Sequence, residues 1–329
     1  MNPLVSTIIP TSKRPETLTI AVDSALAPLS EAEGEVIVVP NGPDRSWVDA
    51  LRHYSDNPAV RVVTLSEGNA NAARNAGLAA ARGEFIRFLD DDDYLYREAT
   101  ARQYALLRER KPDVCSGAVD RVDTYGVPYD TWLQPNVTDF VAAALSPERV
   151  SLPVAHVFRR AFLGSCRWDE ALPVWQDVDW MMRILLHPDI NWLRVDEPLG
   201  AYVQHDSGRV SRGTHPGSAP LRHAAGNILN VVGALEERGA LTAERRKAAS
   251  DGLWSLLQKG LMYEPAYWIR VAQQARRLAP GRKPRSAIYH IFPFKWLDPL
   301  WVAAGLVPAR VGYLAFCKFT GRRPGGKAW

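Results

Sequence analysis

The chain is poor in several things that would have decided its class at once. It holds three cysteines in 329 residues, Cys115, Cys166 and Cys317. They lie far apart, which excludes a disulfide scaffold and a zinc-binding spacing and suits a reducing compartment. No run of 18 apolar residues occurs, so no clear membrane-spanning helix is expected. The opening residues Met1-Asn2-Pro3-Leu4 lack a basic stretch followed by an apolar one, so no signal peptide is expected. There is no internal repeat, no extended low-complexity segment and no nucleic-acid-reading module, so nucleic acid is not an expected partner.

What is present is ordinary in bulk. The chain is 47% hydrophobic and 23% charged, as in globular proteins, and its length suits two domains or one large domain with an appendage. The charge is unevenly placed. Residues 270–329 carry 12 Lys and Arg against one acid, Asp298, whereas the remainder carries 28 bases against 35 acids. An acidic body with a basic tail rich in aromatic residues implies two different jobs.

Short apolar runs at residues 4–9, 35–39, 60–65 and 84–89 alternate with helical patterns at 16–26, 46–54, 69–81 and 96–110. This alternation predicts an α/β fold with a mostly parallel sheet. Ligands of such sheets sit at the carboxyl ends of the strands, here the loops 10–14, 40–45, 66–71 and 90–93. Beyond residue 113 the pattern is mixed. It predicts a strand at 114–122, a loop or hairpin at 125–135, a short helix at 139–145 and a strand at 155–159. A helix at 177–186 and two short strands at 190–195 and 199–203 follow. A Gly- and Ser-rich loop spans 205–220, and helices follow at 221–238, 242–262 and 265–279. The expected division is 1–215, with halves 1–112 and 113–215, then a helical region 216–279 and the tail 280–329.

Four consecutive aspartates, Asp90 to Asp93, end the fourth strand. Adjacent carboxylates repel, and a hard divalent cation, Mn²⁺ or Mg²⁺, removes that cost. The plain alternative is a solvated acidic turn that caps the next helix.

This run resembles the DxD motif of glycosyltransferase family 2, inverting enzymes with the GT-A nucleotide-sugar fold. Four further segments agree in order: VSTIIPT with Arg14-Pro15, EVIVVPNG, NAARNAG followed by GEFIRFLDDDD, and WDEALPVWQDVD. The resemblance covers about residues 4–212. It implies a metal-dependent transfer of a sugar from a nucleoside diphosphate to an acceptor hydroxyl, in the synthesis of a bacterial surface glycan. Asp92 and Asp90 would hold the metal. Asp90 or Asp91 would meet the ribose. Pro10, Thr11, Arg14 and Asn41 would line the nucleotide, with UDP the first candidate and GDP or dTDP alternatives. Arg74 would help hold the nucleotide; its other reading is a helix-surface ion pair.

The resemblance also implies a base. Asp177, in Gln176-Asp177, matches the aspartate of a Glu-Asp pair that opens a helix and takes the acceptor's proton. An ordinary helix N-cap is the competing reading. Asp179 is the rival carboxylate, pointing away from Asp177 at two residues' spacing. Trp175, with Gln176, would meet the acceptor, or Trp175 would be core. His205 would serve metal or phosphate, helped by Arg209 or Arg212. Two positions depart from the pattern: Pro40 stands where the family has aspartate, and Gln176 where it has glutamate. They keep a non-catalytic nucleotide-sugar scaffold as a rival. A nucleotidyltransferase is the other rival, although PTSKRPE lacks the glycines it would want.

The tail interleaves bases with Tyr289, Phe292, Phe294, Trp296, Trp301, Tyr313, Phe316 and Phe319. Its apolar stretches, 299–309 and 311–317, are broken by Pro308 and Arg310. The pattern suits lying in a bilayer interface at an anionic leaflet, where a lipid-linked glycan would be the acceptor. The alternative is a helical subdomain packed on the body. The expected place is cytoplasmic, peripheral to the inner face of the plasma membrane.

Overall fold

The computed structural model describes residues 3–28, 33–147, 152–187, 189–204 and 218–320. His205, Arg209 and Arg212 lie outside the described residues. The chain forms two compact units, Met1–Phe140 with Arg149–Gly213, and Val141–Glu148 with Thr214–Trp329.

The first unit opens β1 (Val5–Thr11), α1 (Pro15–Leu26), β2 (Gly34–Pro40), α2 (Trp47–Ala50), β3 (Val60–Val62), α3 (Ala70–Ala80) and β4 (Phe85–Phe88). The strands β3, β2, β1 and β4 lie side by side and all parallel. Every residue of β1 and β2 is buried, which is why both read as unbroken apolar runs rather than alternations. Next come β5 (Tyr94–Leu95), α4 (Arg97–Arg110), β6 (Val114–Val122) and β7 (Pro128–Trp132), then α5 (Phe140–Leu145), which from Val141 onward belongs to the second unit, and β8 (His156–Arg159). Then follow α6 (Arg160–Leu163), α7 (Gln176–Ile184) and β9 (Trp192–Val203). The sheet continues β4-β8-β6-β9-β5, with β7 added to β6. Strands β8, β7 and β5 join antiparallel, whereas β6 and β9 run parallel. Residues 125–135 thus make a hairpin. The two strands expected at 190–195 and 199–203 are one strand, and the pairing of β6 with β9 shifts register around Ala118 to absorb the irregularity.

Two details fix how α3 lies on the sheet. A Cβ on Gly77 would sit 2.3 Å from Ile8 Cγ2, so the last glycine of NAARNAG lets the helix rest directly on β1. At the far end of the strands, buried Glu35 accepts from Ser6 Oγ (2.7 Å), the Arg82 backbone N–H (2.7 Å) and Arg61 Nη1 (3.1 Å). Burial alone would push this carboxyl up, but those hydrogen bonds outweigh it and hold Glu35 below its ordinary value.

In the second unit, α8 (Ser218–Glu237), α9 (Ala243–Gly260) and α10 (Pro265–Leu278) pack in sequence order. Trp254 and Trp268 are fully buried, and a Cβ on Gly260 would fall inside the Trp268 ring system, 2.0 Å from its nearest atom. Buried Asp251 binds Arg282 through both carboxylate oxygens, each at 2.6 Å, and Arg285 at 2.8 Å. Two of the tail's bases are therefore structural rather than solvated.

The tail continues as α11 (Pro299–Gly305) and α12 (Val307–Thr320). The apolar stretch divides at Leu306, and Pro308 follows as the second residue of α12, where its missing N–H has no helical partner to lose. Pro299–Cys317 is long and apolar enough to cross a membrane by length and composition, and 22% of it is buried.

Candidate functional site

The carboxyl ends of β1, β2 and β4 meet the start of α7 at a cleft of about 590 Å³. Pro10, Thr11, Arg14, Asn41, Arg74, Asp90, Asp91, Asp92, Trp175, Gln176 and Asp177 all line it. These are the residues singled out from the sequence, apart from His205. Ser12 and Lys13 of the loop 10–14, with Ala70, Leu152, Pro153 and Tyr202, complete the wall.

The acidic run is not a helix cap. Helix α4 starts at Arg97, and its preceding residue is Tyr96. Asp91 and Asp92 share Arg14, whereas Asp90 and Asp93 each have a partner of their own. Asp91 is buried and accepts from Thr11 Oγ1 (2.7 Å), the Ser12 N–H (3.3 Å) and Arg14 Nη1 (3.2 Å). Burial pushes its pKa up to about 6, against the pull of Thr11 and Arg14. Asp92 takes Arg14 Nη1 at 2.6 Å, and Asp90 takes Arg74 Nη2 at 2.8 Å. Asp93 accepts from the Val203 N–H at 3.0 Å.

Ligand atoms of Asp90, Asp92 and Asp93 lie within 4.8 Å of one another. An all-oxygen, carboxylate-rich set fits Mn²⁺ or Mg²⁺ and not a soft metal. Sequence reasoning had paired Asp90 and Asp92 with a distant histidine and passed over Asp93. The strand–turn geometry that turns Asp93 back toward Asp90, through its N–H to the Asp90 carbonyl (3.1 Å), has no sequence signal beyond adjacency.

Helix α3 ties the segment at Trp168 and Asp169 to the sheet. Asn69 caps it by accepting from the Asn71 and Ala72 N–H groups, both at 3.0 Å. Asn71 donates to the Asp169 carbonyl (2.6 Å), and Asn75 exchanges two 2.9 Å bonds with the Trp168 backbone. Arg74 stands between them in spacing. It holds Asp90, donates to Gln176 Oε1 (3.1 Å), and lies over the Trp168 ring at 4.5 Å. The ion pair expected for Arg74 exists, but it is buried and belongs to the site. The signal was readable: positions 71, 74 and 75 share one helix face.

Gln176 spends both ends of its amide within the protein, on Arg74 and on the Leu172 carbonyl (3.0 Å). It thus braces α7. Trp175, in the left-handed region at φ 57°, precedes α7 and faces the cleft half-buried, so it is not core. Lys13, at φ 60°, is another non-glycine residue of that kind, on the opposite wall. Such backbone costs of order 1–3 kcal/mol each and gathers at functional sites. Asp177 lies within the first turn rather than at the cap. Asp179 is buried and bonded to Arg183 at 2.6 Å, away from the cleft lining.

Asn41 also differs from expectation. Its Nδ2 donates to the Thr11 carbonyl at 3.0 Å, so the amide offers an acceptor, rather than both functions, to a ligand. Pro40 closes β2 opposite Thr11; it has no N–H to give to the neighbouring strand, and its carbonyl accepts from the Leu65 N–H at 2.9 Å.

The family profile described as glycosyl transferase family 2 matches residues 6–158. These residues belong to glycosyltransferase family 2. The match runs from β1 through β8 and so takes in the acidic turn and α3, while α7 lies beyond it. A poly(ribitol-phosphate) beta-glucosyltransferase of Bacillus spizizenii is 27% identical over 155 residues, covering 44% of this chain and 24% of that protein. The matched stretch is therefore about a quarter of that relative's length. Among solved structures, S. aureus TarS 1–349 in complex with UDP-GlcNAc superposes with a TM-score of 0.58 at 21% identity, covering 83% of this chain and 90% of that one. The mannosyltransferase PcManGT from Pyrobaculum calidifontis, in complex with GDP-Man and Mn²⁺, superposes at 0.54 with 16% identity, over 93% and 87%. At those identities the likeness is one of fold, the GT-A fold.

Proposed function

We propose that this family 2 chain is an inverting, metal-dependent glycosyltransferase that moves a sugar from a nucleoside diphosphate to a glycan hydroxyl in bacterial surface-polymer synthesis. The observation that carries the reading is the meeting of Asp90 and Asp92, two of the three clustered carboxylates, with Asp177 on one cleft. Neither the cap reading of the acids nor that of Asp177 accounts for this.

Asp177 accepts the proton of the acceptor hydroxyl. The oxygen then attacks the anomeric carbon from the side opposite the leaving group, and the bond to the diphosphate breaks with its electron pair passing to the phosphate oxygen. Attack on that side inverts the centre. Arg74 and Arg14 orient phosphate oxygens with planar, multi-donor guanidinium groups. A divalent cation held by Asp90, Asp92 and Asp93 would supply a Lewis acid for the charge on the departing diphosphate. Asn41, offering an acceptor, suits a ring N–H such as that of uracil, thymine or guanine, and UDP, the first candidate from the family resemblance, is the proposed nucleotide. Trp175 supplies a flat face for an acceptor sugar.

The test is release of UDP from UDP-sugars by the full chain with Mn²⁺ and a glycan acceptor. Multiple turnovers that stop on chelation are expected. UDP binding without any turnover would support the scaffold reading instead.

The tail reading also gains support. Phe292, Trp296, Trp301 and Phe319 are each at least three-quarters exposed, beside Lys295 and close in sequence to the bases of 322–327. Such a face suits the headgroup region of an anionic bilayer. The full chain is expected to float with phosphatidylglycerol vesicles at low salt, and the double change Trp296→Ser, Trp301→Ser to abolish flotation. Equal flotation of the variant would rule out attachment through these rings.

A further inference from the structure

Beyond the cleft, the β6–β7 hairpin turns rings outward. Tyr125 is 89% exposed and Tyr129 53%. Trp132 stacks on Tyr202, with centroids 5.8 Å apart and 28° between the planes. The Arg121 guanidinium lies 4.8 Å from the Trp132 ring centre and 5.0 Å from that of Tyr129. Its 3.1 Å ion pair with Asp130 holds it there. The rings of Tyr202, Trp132 and Tyr129 are thus linked through a fixed cation, and the first of them lines the cleft. Aromatic rings gathered at a protein surface, rather than scattered singly, mark a binding site more often than an accident of folding.

The polar groups around these rings select the occupant. Asp120 accepts from Thr131 (2.6 Å) and Tyr96 (3.0 Å), and Asp123 and Asp130 stand on the same hairpin. Three carboxylates against Arg121 make the hairpin unfavourable for an anionic polymer. They accept hydroxyl protons well, and aromatic faces attract polarised C–H bonds. A sugar ring carries both, C–H groups on a flat face and hydroxyls around its edge.

We propose that Tyr202, Trp132 and Tyr129 form a track for an uncharged oligosaccharide acceptor, leading from the cleft along the β6–β7 hairpin. The inference rests on reading the cleft as the site of sugar transfer. It adds a residue set that recognises several rings of the acceptor, not the reacting hydroxyl alone.

The test is retention of the full chain, loaded with UDP and Mn²⁺, on a printed panel of uncharged oligosaccharides and their parent monosaccharides. UDP affinity is measured in parallel by calorimetry. Wild type is expected to hold at least one oligosaccharide series and none of the monosaccharides. Trp132→Ala and Tyr129→Ser are each expected to weaken retention by about tenfold, with UDP affinity within about twofold of wild type. Tyr129 is exposed, so its variant reports even if Trp132→Ala fails to fold. Retention of no oligosaccharide by wild type, or equal retention by Tyr129→Ser, overturns the track. So does a shift from dimer to monomer in Tyr129→Ser without sugar binding, which would make the patch a self-association surface. Loss of UDP binding in wild type with oligosaccharide retention intact would instead overturn the donor-cleft reading and leave the track standing.

Discussion

Asp177→Asn is expected to lower kcat by about a thousandfold, in the range a positioned general base contributes. UDP affinity should stay within about twofold of wild type. The asparagine keeps the shape and the N–H···O contact that Asp177 makes with Val178 (2.9 Å), but it cannot take a proton. Asp179→Asn is the control. Its carboxylate serves Arg183 on the buried side of α7, so its loss should appear in melting temperature more than in turnover. Steady-state kinetics on both variants separates the two roles. If Asp177→Asn kept full kcat while Asp179→Asn lost it, the base would have been assigned to the wrong carboxylate.

Asp92→Asn should raise the Kd for UDP in the presence of Mn²⁺ by about 10- to 100-fold and leave the metal-free Kd nearly unchanged. That magnitude is the usual coupling between two ligands sharing a site. Without metal, Asp92 is bonded to Arg14 at 2.6 Å, so the guanidinium already supplies the positive charge a cation would bring. Arg14→Ala removes that competitor and is expected to tighten Mn²⁺ binding in the absence of nucleotide, while weakening UDP. Calorimetry with Mn²⁺ alone, UDP alone and both together reads every arm. An unchanged Mn²⁺ dependence in Asp92→Asn would remove this carboxylate from the metal site.

The parallel half of the sheet was legible because strands buried on both faces write themselves as apolar runs. EVIVV and EFIRFL fall on β2 and β4 for that reason. Buried charge inside those runs was not legible. Arg87 sits at zero exposure in β4, bonded to Gln103 and to the Val154 carbonyl at 2.9 Å, and Glu35 is neutralised by groups 26 and 47 residues away in sequence. Partners so distant leave no local pattern. The single long β9 was hidden by Asp196-Glu197-Pro198, residues that usually punctuate a strand. The cleft was read more fully than the fold around it, since acids after a strand and the NAARNAG face carry chemical meaning in themselves. What the residues could not tell was which of those side chains face a ligand and which brace their neighbours. Gln176 and the Asn41 amide nitrogen turned out to brace.

Arg74 reaches Asp90 on the sheet side and Gln176 on the helix that carries Asp177, so on the proposed mechanism the donor and acceptor sides would share a single pivot. A pull on Asp90 as a donor settles would then pass through the planar guanidinium to the turn that holds Asp177. On that mechanism, loading one substrate and readying the other would be coupled through one side chain, and a lysine at position 74 would have to serve both acceptors from a single nitrogen instead of from the two ends of a planar fork.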